Sequence, residues 1–219
     1  MATLENKTIL VIGANGGLGR HFVQQLGESG AVVISASSSD VNLENAESIE
    51  RFAKHVLTNH GSVDGVVLAS GLVAFGSIAE TPAEVRERLM RVNFLGQVDL
   101  VSALLPALTS SAESGNAPFV LSISGVIAES PMAGLAAYSA SKTALLGYAQ
   151  AAARELRRAS IRWIDARPGH TETGLATRAI FGQAPGFGAG LEPAAVVARM
   201  IEAIKNDEKD LPSGSFLLA

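Results

Sequence analysis

Residues 8 to 19 read Thr-Ile-Leu-Val-Ile-Gly-Ala-Asn-Gly-Gly-Leu-Gly, an apolar run that ends in a glycine-rich turn. The run has the length of a buried β-strand, and helical spacing follows from about residue 18 to residue 27. A dinucleotide pyrophosphate binds backbone amides at such a helix start, where a Cβ atom would block its approach. The alternative is an ordinary glycine-rich connector, but the position directly after the first strand favours dinucleotide binding. The predicted cofactor contacts here are Gly13, Asn15, Gly17, Leu18 and Gly19.

The rest of the chain repeats this alternation of strand-length apolar runs and helical segments, which is typical of βαβ units. Further strands are predicted at 31–35, 63–69, 119–124, 161–166 and 215–218, with a short stub of strand within 37–43. Further helices are predicted at 44–58, 81–108 with an interruption near Asn93, 136–159 and 193–206. The sequence therefore predicts an α/β fold: a single domain with a Rossmann-like, doubly wound parallel sheet flanked by helices.

The composition excludes several classes of function. The 219 residues include no cysteine, so disulfides, thiolate catalysis and cysteine-based zinc sites are ruled out. None of the four histidines belongs to an HExxH pair, and we predict no metal site. A net charge of −4 with scattered basic residues gives no nucleic-acid footprint. Because we find neither a membrane-length apolar run nor a signal-peptide pattern, we expect a cytoplasmic protein that does not bind membranes.

Tyr138 and Lys142 are four residues apart on the predicted helix 136–159, so they share one helix face. A free tyrosine titrates near ~10, too high for proton transfer at neutral pH. A neighbouring ammonium group and a cationic nicotinamide ring would both lower that pKa. Taken alone, a tyrosine and a lysine four residues apart on a helix usually have a structural role. Their value as evidence for catalysis therefore depends on the surrounding sequence.

Ala136 to Leu145 reads Ala-Ala-Tyr-Ser-Ala-Ser-Lys-Thr-Ala-Leu, and Arg167 to Thr173 reads Arg-Pro-Gly-His-Thr-Glu-Thr. With the Gly-x3-Gly-x-Gly turn, these segments resemble the short-chain dehydrogenase/reductase family, in the same order along the chain. The resemblance implies that Tyr138 and Lys142 carry the proton chemistry and also contact the cofactor. It implies further that Thr171 and Thr173 hold the nicotinamide carboxamide, and that Asn93 holds a water linked to Lys142.

The sequence departs from the family at two places in the implied site. The family has a serine thirteen residues before the tyrosine, where this chain has Gly125. We expect Ser124 to replace it as a catalytic residue; Ser122 is three residues away, and the alternative is that Ser124 binds only backbone. This chain also lacks both amide side chains of the family's Asn-Asn-Ala-Gly segment. Its counterparts Ala69, Ser70 and Gly71 keep the small residues that let the cofactor pass.

The chain resembles compact members of the family that lack a helix after the second strand. Only three serines precede Asp40, so no acidic residue ends the second strand and repels a 2′-phosphate. Serine hydroxyls can donate to a phosphate, so Ser37 and Ser38 favour NADP(H) over NAD(H). Asn42 or Asp40 is then expected to contact the adenine.

Residues 173–191 are predicted to form a substrate-covering loop, because they combine apolar side chains with several glycines. An apolar ketone or aldehyde, or the matching alcohol, is the expected small-molecule substrate. Small residues along helix 136–159 suit either a homodimer or homotetramer contact or packing within one subunit. The alternative to an enzyme is a non-catalytic dinucleotide-binding protein with a regulatory or assembly role, which Gly125 favours.

Overall fold

Five parallel strands form one sheet in the order β2-β1-β3-β4-β5. The computed structural model describes residues 3–216. The strands are β1 (Thr8–Ile12), β2 (Val32–Ala36), β3 (Gly65–Leu68), β4 (Phe119–Ile123) and β5 (Arg162–Ala166). The helices are α1 (Gly19–Glu28), α2 (Ala46–His60), α3 (Ala83–Met90), α4 (Gly96–Glu113), α5 (Ala136–Leu156) and α6 (Pro193–Lys205). The predicted doubly wound fold is confirmed.

The core lies in two layers, one on each face of the sheet. Helices α2, α4 and α5 cover one face, where Trp163 and Leu104 are buried. Helices α1 and α6 cover the other face, where Phe22 and Met200 are fully buried. Because both faces are covered, the central strands are continuous apolar runs without alternation, as parallel sheets require.

The predicted interruption of the long helix is a π-helical turn, Arg91–Leu95, between α3 and α4. Turns of this kind interrupt a helix by one extra residue and frequently mark functional sites. The combined stretch Ala83–Glu113 is long and apolar enough to cross a membrane, but 56% of its most apolar window is buried inside the protein. A core helix meets the same criteria, so this stretch carries no argument for a membrane span.

One predicted strand is wrong, and another is wrong over the part that the structure describes. Residues 37–43 form a turn, because the Asp40 carboxylate accepts hydrogen bonds from the backbone and hydroxyl of Ser37. Such side-chain bonds to nearby backbone compete with strand pairing. Of the predicted last strand, residues 217 and 218 lie outside the described residues. Ser213–Phe216 forms a 3₁₀ turn, while Leu211 makes a parallel bridge to Ala166 beside β5.

Candidate active site

The glycine turn lies at the point where the strand order reverses, between β1 and β3. Ligands of doubly wound sheets bind at the carboxyl ends of the strands in this position. Backbone amides of Gly13 and Ala14 both donate to the Ala36 carbonyl, at 2.8 and 3.0 Å, which ties the turn to the end of β2. A Cβ atom at Gly13 would lie 2.8 Å from the Ser70 amide nitrogen, so the turn also packs tightly against the segment after β3.

The predicted cofactor residues of the turn form a cradle of backbone. A Cβ at Gly19 would overlap the Gly13 carbonyl, and one at Gly17 would overlap Thr173. Within residues 3–216, the Gly17 and Leu18 amides donate to no other backbone group, and Asn15 is exposed beside them. Two free amides at the start of α1 suit an anion such as a pyrophosphate.

The segment after β3 supplies a second observation that fits a polar ligand. Among the described residues, the Ser70 hydroxyl is buried without a hydrogen-bond partner. Gln97 of α4 is fully buried, and its Nε2 donates to the Ser70 carbonyl at 3.0 Å. The Gln97 Oε1 atom is likewise unpaired within the described range. Buried polar groups usually have a partner, so these two atoms indicate a bound hydroxyl group or water beside the turn.

Asn93, Lys142 and Gly71 come together where α5 meets the π-helical turn. A Cβ at Gly71 would lie 3.4 Å from Asn93 Oδ1 and 3.6 Å from Lys142 Nζ. The Asn93 amide exchanges two hydrogen bonds with the backbone of Leu72 and donates to the Ser141 hydroxyl at 3.0 Å. Asn93 therefore fixes the segment after β3, while Lys142 Nζ donates to the Ile123 carbonyl at 2.7 Å.

Tyr138 is half-buried at the start of α5, against a small apolar cluster. Burial raises the pKa of Tyr138 to about 12 and lowers the pKa of Lys142 to about 8. The predicted lowering of the tyrosine pKa by Lys142 is therefore not seen in this arrangement, because Lys142 is turned to the Ile123 carbonyl. The phenol of Tyr138 therefore stays protonated and can donate its proton. A further positive charge beside it is needed to stabilise the phenolate that remains.

Ser124 does not have the predicted position. Its hydroxyl is fully buried and donates to Asp165 of β5, so it does not face a substrate beside Tyr138. Gly125 has φ 77° and ψ 163°, a conformation that is essentially restricted to glycine. The chain therefore follows a path at this position that a serine could not adopt without strain. In this conformation the Ser124 hydroxyl is engaged by Asp165, and its catalytic role stays a prediction.

Residues 173–191 form a loop whose apolar side chains pack against the same cluster as Tyr138, and its role as a substrate cover stays a prediction. Backbone bonds between Ile180 and Val73, and between Phe75 and Phe181, both 2.9 Å long, attach its middle to the segment after β3. Leu175, Ala179 and Phe187 of the loop pack with Tyr138 in the apolar cluster. The side walls next to the phenol are therefore apolar.

The remaining predicted cofactor residues lie in the segment after β5 and in the turn after β2. The Thr171 hydroxyl donates to the Gly169 carbonyl at 2.9 Å, and Thr173 packs on the glycine turn. At the other end, Ser37 is bonded to Asp40 and Ser38 is exposed. Asn42 is engaged in the turn before α2, where its side chain accepts from the Glu44 amide. This bond uses only the Asn42 Oδ1 atom, so the Nδ2 group can still donate, and the adenine contact of Asn42 stays a prediction.

The sequence analysis missed Gln97, Asp165 and Arg167. Gln97 was not recognisable, because nothing local links it to a loop 27 residues earlier. Asp165 and Arg167 were recognisable in the sequence, because an acidic and a basic residue stand at the end of a mostly apolar strand. Arg167 is buried and pairs with Asp210 through two bonds, at 2.8 and 2.6 Å.

Comparison with known proteins gives consistent matches. The family model of the short chain dehydrogenases matches residues 34–181. A dehydrogenase/reductase SDR family protein 7-like of Anopheles gambiae is 27% identical, over 95% of this chain and 75% of its own length. Dehydrogenase/reductase SDR family member 4 of Sus scrofa is 30% identical, over 78% of this chain and 67% of its own.

Among solved structures, a 3-ketoacyl-(acyl-carrier-protein) reductase from Brucella melitensis complexed with NADH aligns with a TM-score of 0.85. The alignment covers 98% of this chain and 100% of the other, at 20% identity. An aldohexose dehydrogenase from Thermoplasma acidophilum aligns with a TM-score of 0.84, over 99% and 96% of the two chains, also at 20% identity. At 20% sequence identity, these two matches show that the fold is shared.

Proposed function

The chain belongs to the short chain dehydrogenase family and is an oxidoreductase, and we propose that it interconverts a ketone or aldehyde and the matching alcohol with a nicotinamide dinucleotide. When bound, the dinucleotide supplies or accepts the hydride. The observation that carries the proposal is the position of Tyr138, which packs against the apolar cluster one helical turn before Lys142, and Lys142 lies beside Asn93 and Gly71.

The protein's own residues account for binding and proton transfer. The Gly17 and Leu18 amides and the Ser70 hydroxyl hold the polar part of the dinucleotide. Thr171 and Thr173 bind its nicotinamide end. Tyr138 donates a proton to the substrate oxygen during reduction and takes it back during oxidation. Lys142 supplies the positive charge that stabilises the phenolate, and the loop 173–191 keeps water away from it.

The substrate is proposed to be an apolar carbonyl compound or alcohol, because the side chains around Tyr138 are apolar. Phe187 contacts Phe75 with ring centroids 6.1 Å apart and stacks on His170 at 4.7 Å. These rings form an apolar surface that would favour an apolar substrate by burying it.

The choice between the two dinucleotides depends on Asp40. The sequence favoured NADP(H) on the assumption that the serines are free to donate. In the structure, Ser37 and Ser39 are hydrogen-bonded to each other, and Ser37 donates twice to Asp40. These bonds, led by the Ser37 amide, hold the pKa of Asp40 below its usual value. A negative charge at the end of β2 opposes a 2′-phosphate, so we propose that NAD(H) is preferred.

A homo-oligomer is proposed from the outer face of α5. Its small residues Ala140, Gly147 and Ala151 are exposed, and nothing in the described chain lies within 4 Å of a Cβ placed at Gly147. These exposed residues favour a contact between subunits, whereas Ala144 of the same stripe is half-buried within the subunit. Gly147→Glu should reduce the mass measured by sedimentation, and an unchanged mass would exclude this face.

The experiment that tests the function compares the only two tyrosines of the chain. NADH and NADPH binding is titrated by calorimetry, and turnover is screened with apolar ketones. Tyr138→Phe should keep dinucleotide binding and reduce turnover by about 10²-fold or more. Tyr148→Phe is the control, because Tyr148 makes only edge contacts to Phe94 and Trp163.

Two outcomes would contradict the proposal. Equal turnover in the two variants would exclude Tyr138 as the proton donor. Binding of a dinucleotide with no turnover of any carbonyl substrate would favour the non-catalytic alternative, which the glycine-only conformation at Gly125 supports.

A further inference from the structure

Asp165 on β5 is a buried carboxylate that the proposed reaction does not use. Its side chain is 4% exposed, and both of its oxygens are engaged. The Ser122 hydroxyl donates to Oδ2 at 2.6 Å, and the Ser124 hydroxyl donates to Oδ1. Arg167 Nη1 lies 3.4 Å from Oδ1. Two donated hydroxyls and a guanidinium favour the ionised form of a buried carboxyl.

The two serines flank the residue that binds Lys142. Ser122 and Ser124 are the neighbours of Ile123, and Lys142 Nζ donates to the Ile123 carbonyl at 2.7 Å. The register of the sheet places Ser122 directly opposite Asp165. Trp163 Nε1 also donates to the Ser122 hydroxyl at 2.9 Å. Asp165 therefore holds the end of β4 from both sides of the carbonyl that receives Lys142.

Lys142 is nearly as buried as Asp165, with 6% of its surface exposed. Within residues 3–216 it makes no ion pair shorter than 4 Å, and its hydrogen-bond partner is a neutral carbonyl. A buried ammonium group without a nearby negative charge releases its proton. Something in the interior must therefore supply that charge if Lys142 is to act as a cation.

We propose that Asp165 is a positioning residue, which keeps Lys142 protonated as its buried counter-charge and aims it by fixing the end of β4. The proposal rests on the proposed function, in which Lys142 stabilises the Tyr138 phenolate. It also explains why Ser124 is unavailable to the substrate, since its hydroxyl is required by Asp165. Asp165 acts through Lys142 and does not touch the reacting atoms.

The titratable and charged groups that face this pair are Tyr138 and Arg167. Burial lowers the pKa of Lys142 to about 8, and the charge of Asp165 opposes that fall. Tyr138, on the same helix, has a pKa of about 12. The pKa of Asp165 is raised overall by its burial, and the bonds from the two serines and the charges of Arg167 and Lys142 oppose that rise. Arg167, whose pKa is raised by its bond to Asp210, keeps its charge throughout.

Two further acidic residues bind Arg167 rather than the pair of Lys142 and Asp165. It forms ion pairs with Glu129 and Asp210, which are 27% and 53% exposed. These carboxylates face Arg167 rather than Lys142, and Asp210 therefore offers a matched control. Asp210→Asn removes a negative charge from the same network without touching the end of β4.

The test is a titration of Lys142 itself by NMR of ¹³Cε-labelled lysine. The chain has five lysines, and Lys142→Met identifies the signal of residue 142. We expect its midpoint near pH 8 in the unaltered protein. Asp165→Asn should lower that midpoint by about one unit or more, whereas Asp210→Asn should leave it unchanged. An unchanged midpoint in Asp165→Asn, or an equal shift in both variants, would overturn the proposal.

A second measurement keeps the test decisive if Asp165→Asn does not fold. By linkage, Lys142→Met must raise the carboxyl midpoint of Asp165 by as much as Asp165 raises that of Lys142. This midpoint is read from the ¹³Cγ signal, and a midpoint that stays fixed refutes the coupling. Neither NMR titration depends on turnover. A failure of the Asp165 proposal is therefore distinguishable from a failure of the proposed function, which the Tyr138→Phe comparison would reveal.

Discussion

Gly125 allows a quantitative test of why the family's serine is missing. With φ 77° and ψ 163°, the residue lies in a region that side-chain-bearing residues almost never occupy. Space is not the obstacle, because a Cβ there would have the Pro168 carbonyl 3.7 Å away as its nearest neighbour. The cost of Gly125→Ala is therefore backbone strain, about 1–3 kcal/mol. For a domain of this size each kcal/mol shifts the melting temperature by about 2–4 °C.

Gly125→Ser carries the same strain and adds a hydroxyl thirteen residues before Tyr138. Thermal unfolding followed by circular dichroism should show equal losses of stability for Gly125→Ala and Gly125→Ser. If the strained backbone brings the hydroxyl to the substrate oxygen, turnover of the serine variant should exceed that of the alanine variant by about 10-fold or more.

Two results would refute this reasoning. An alanine variant as stable as the unaltered protein would show that the end of β4 does not require glycine. Equal turnover in the serine and alanine variants would show that a hydroxyl at position 125 does not reach the substrate, so Tyr138 holds the oxygen alone.

Four further predictions follow from the same site. Asp40→Asn should raise the affinity for NADPH relative to NADH by about threefold in calorimetry at low salt, because it removes an exposed negative charge. Gln97→Leu should lower the free energy of unfolding by about 1–3 kcal/mol in urea titrations and weaken dinucleotide binding, since it leaves the Ser70 carbonyl unpaired. Turnover should fall as the pH rises through about 8, because Lys142 loses its proton above its pKa; a profile that is flat to pH 10 would contradict this. Phe187→Ala should raise the KM for apolar ketones by about 10-fold in steady-state assays with little change in kcat.

The order of elements and the position of the glycine turn were predictable because both depend on local pattern. Apolar runs of strand length mark a parallel sheet buried on both faces, and the turn after β1 must be glycine for its loops to pack. The wrong strand at 37–43 has a local cause as well. Asp40 bonds back to Ser37 and closes a turn, and composition alone does not distinguish such a turn from a polar edge strand.

The site was predictable only where residues lie on one element or follow a family motif. Tyr138 and Lys142 share a face of α5, so their association follows from helical spacing. The bond between Ser124 and Asp165 was not predictable, because Asp165 is 41 residues away on the neighbouring strand. The alternation of side chains along a strand predicts the face of the sheet to which Ser124 points. It does not predict which residue of the neighbouring strand lies on that face, because tertiary packing decides this.

The Asp165 network and the Gly125 conformation are two consequences of one arrangement at the end of β4. Once Ser122 and Ser124 both bond to Asp165, the strand is held in register to position 124, and the chain must leave the sheet at 125. Gly125 makes that departure possible through its positive φ. A hydroxyl that binds the substrate oxygen is thereby exchanged for a carboxylate that stabilises the lysine. The reaction loses one donor to the oxygen but retains the charged Lys142 that phenolate formation at Tyr138 requires, so catalysis without the family's serine is chemically consistent.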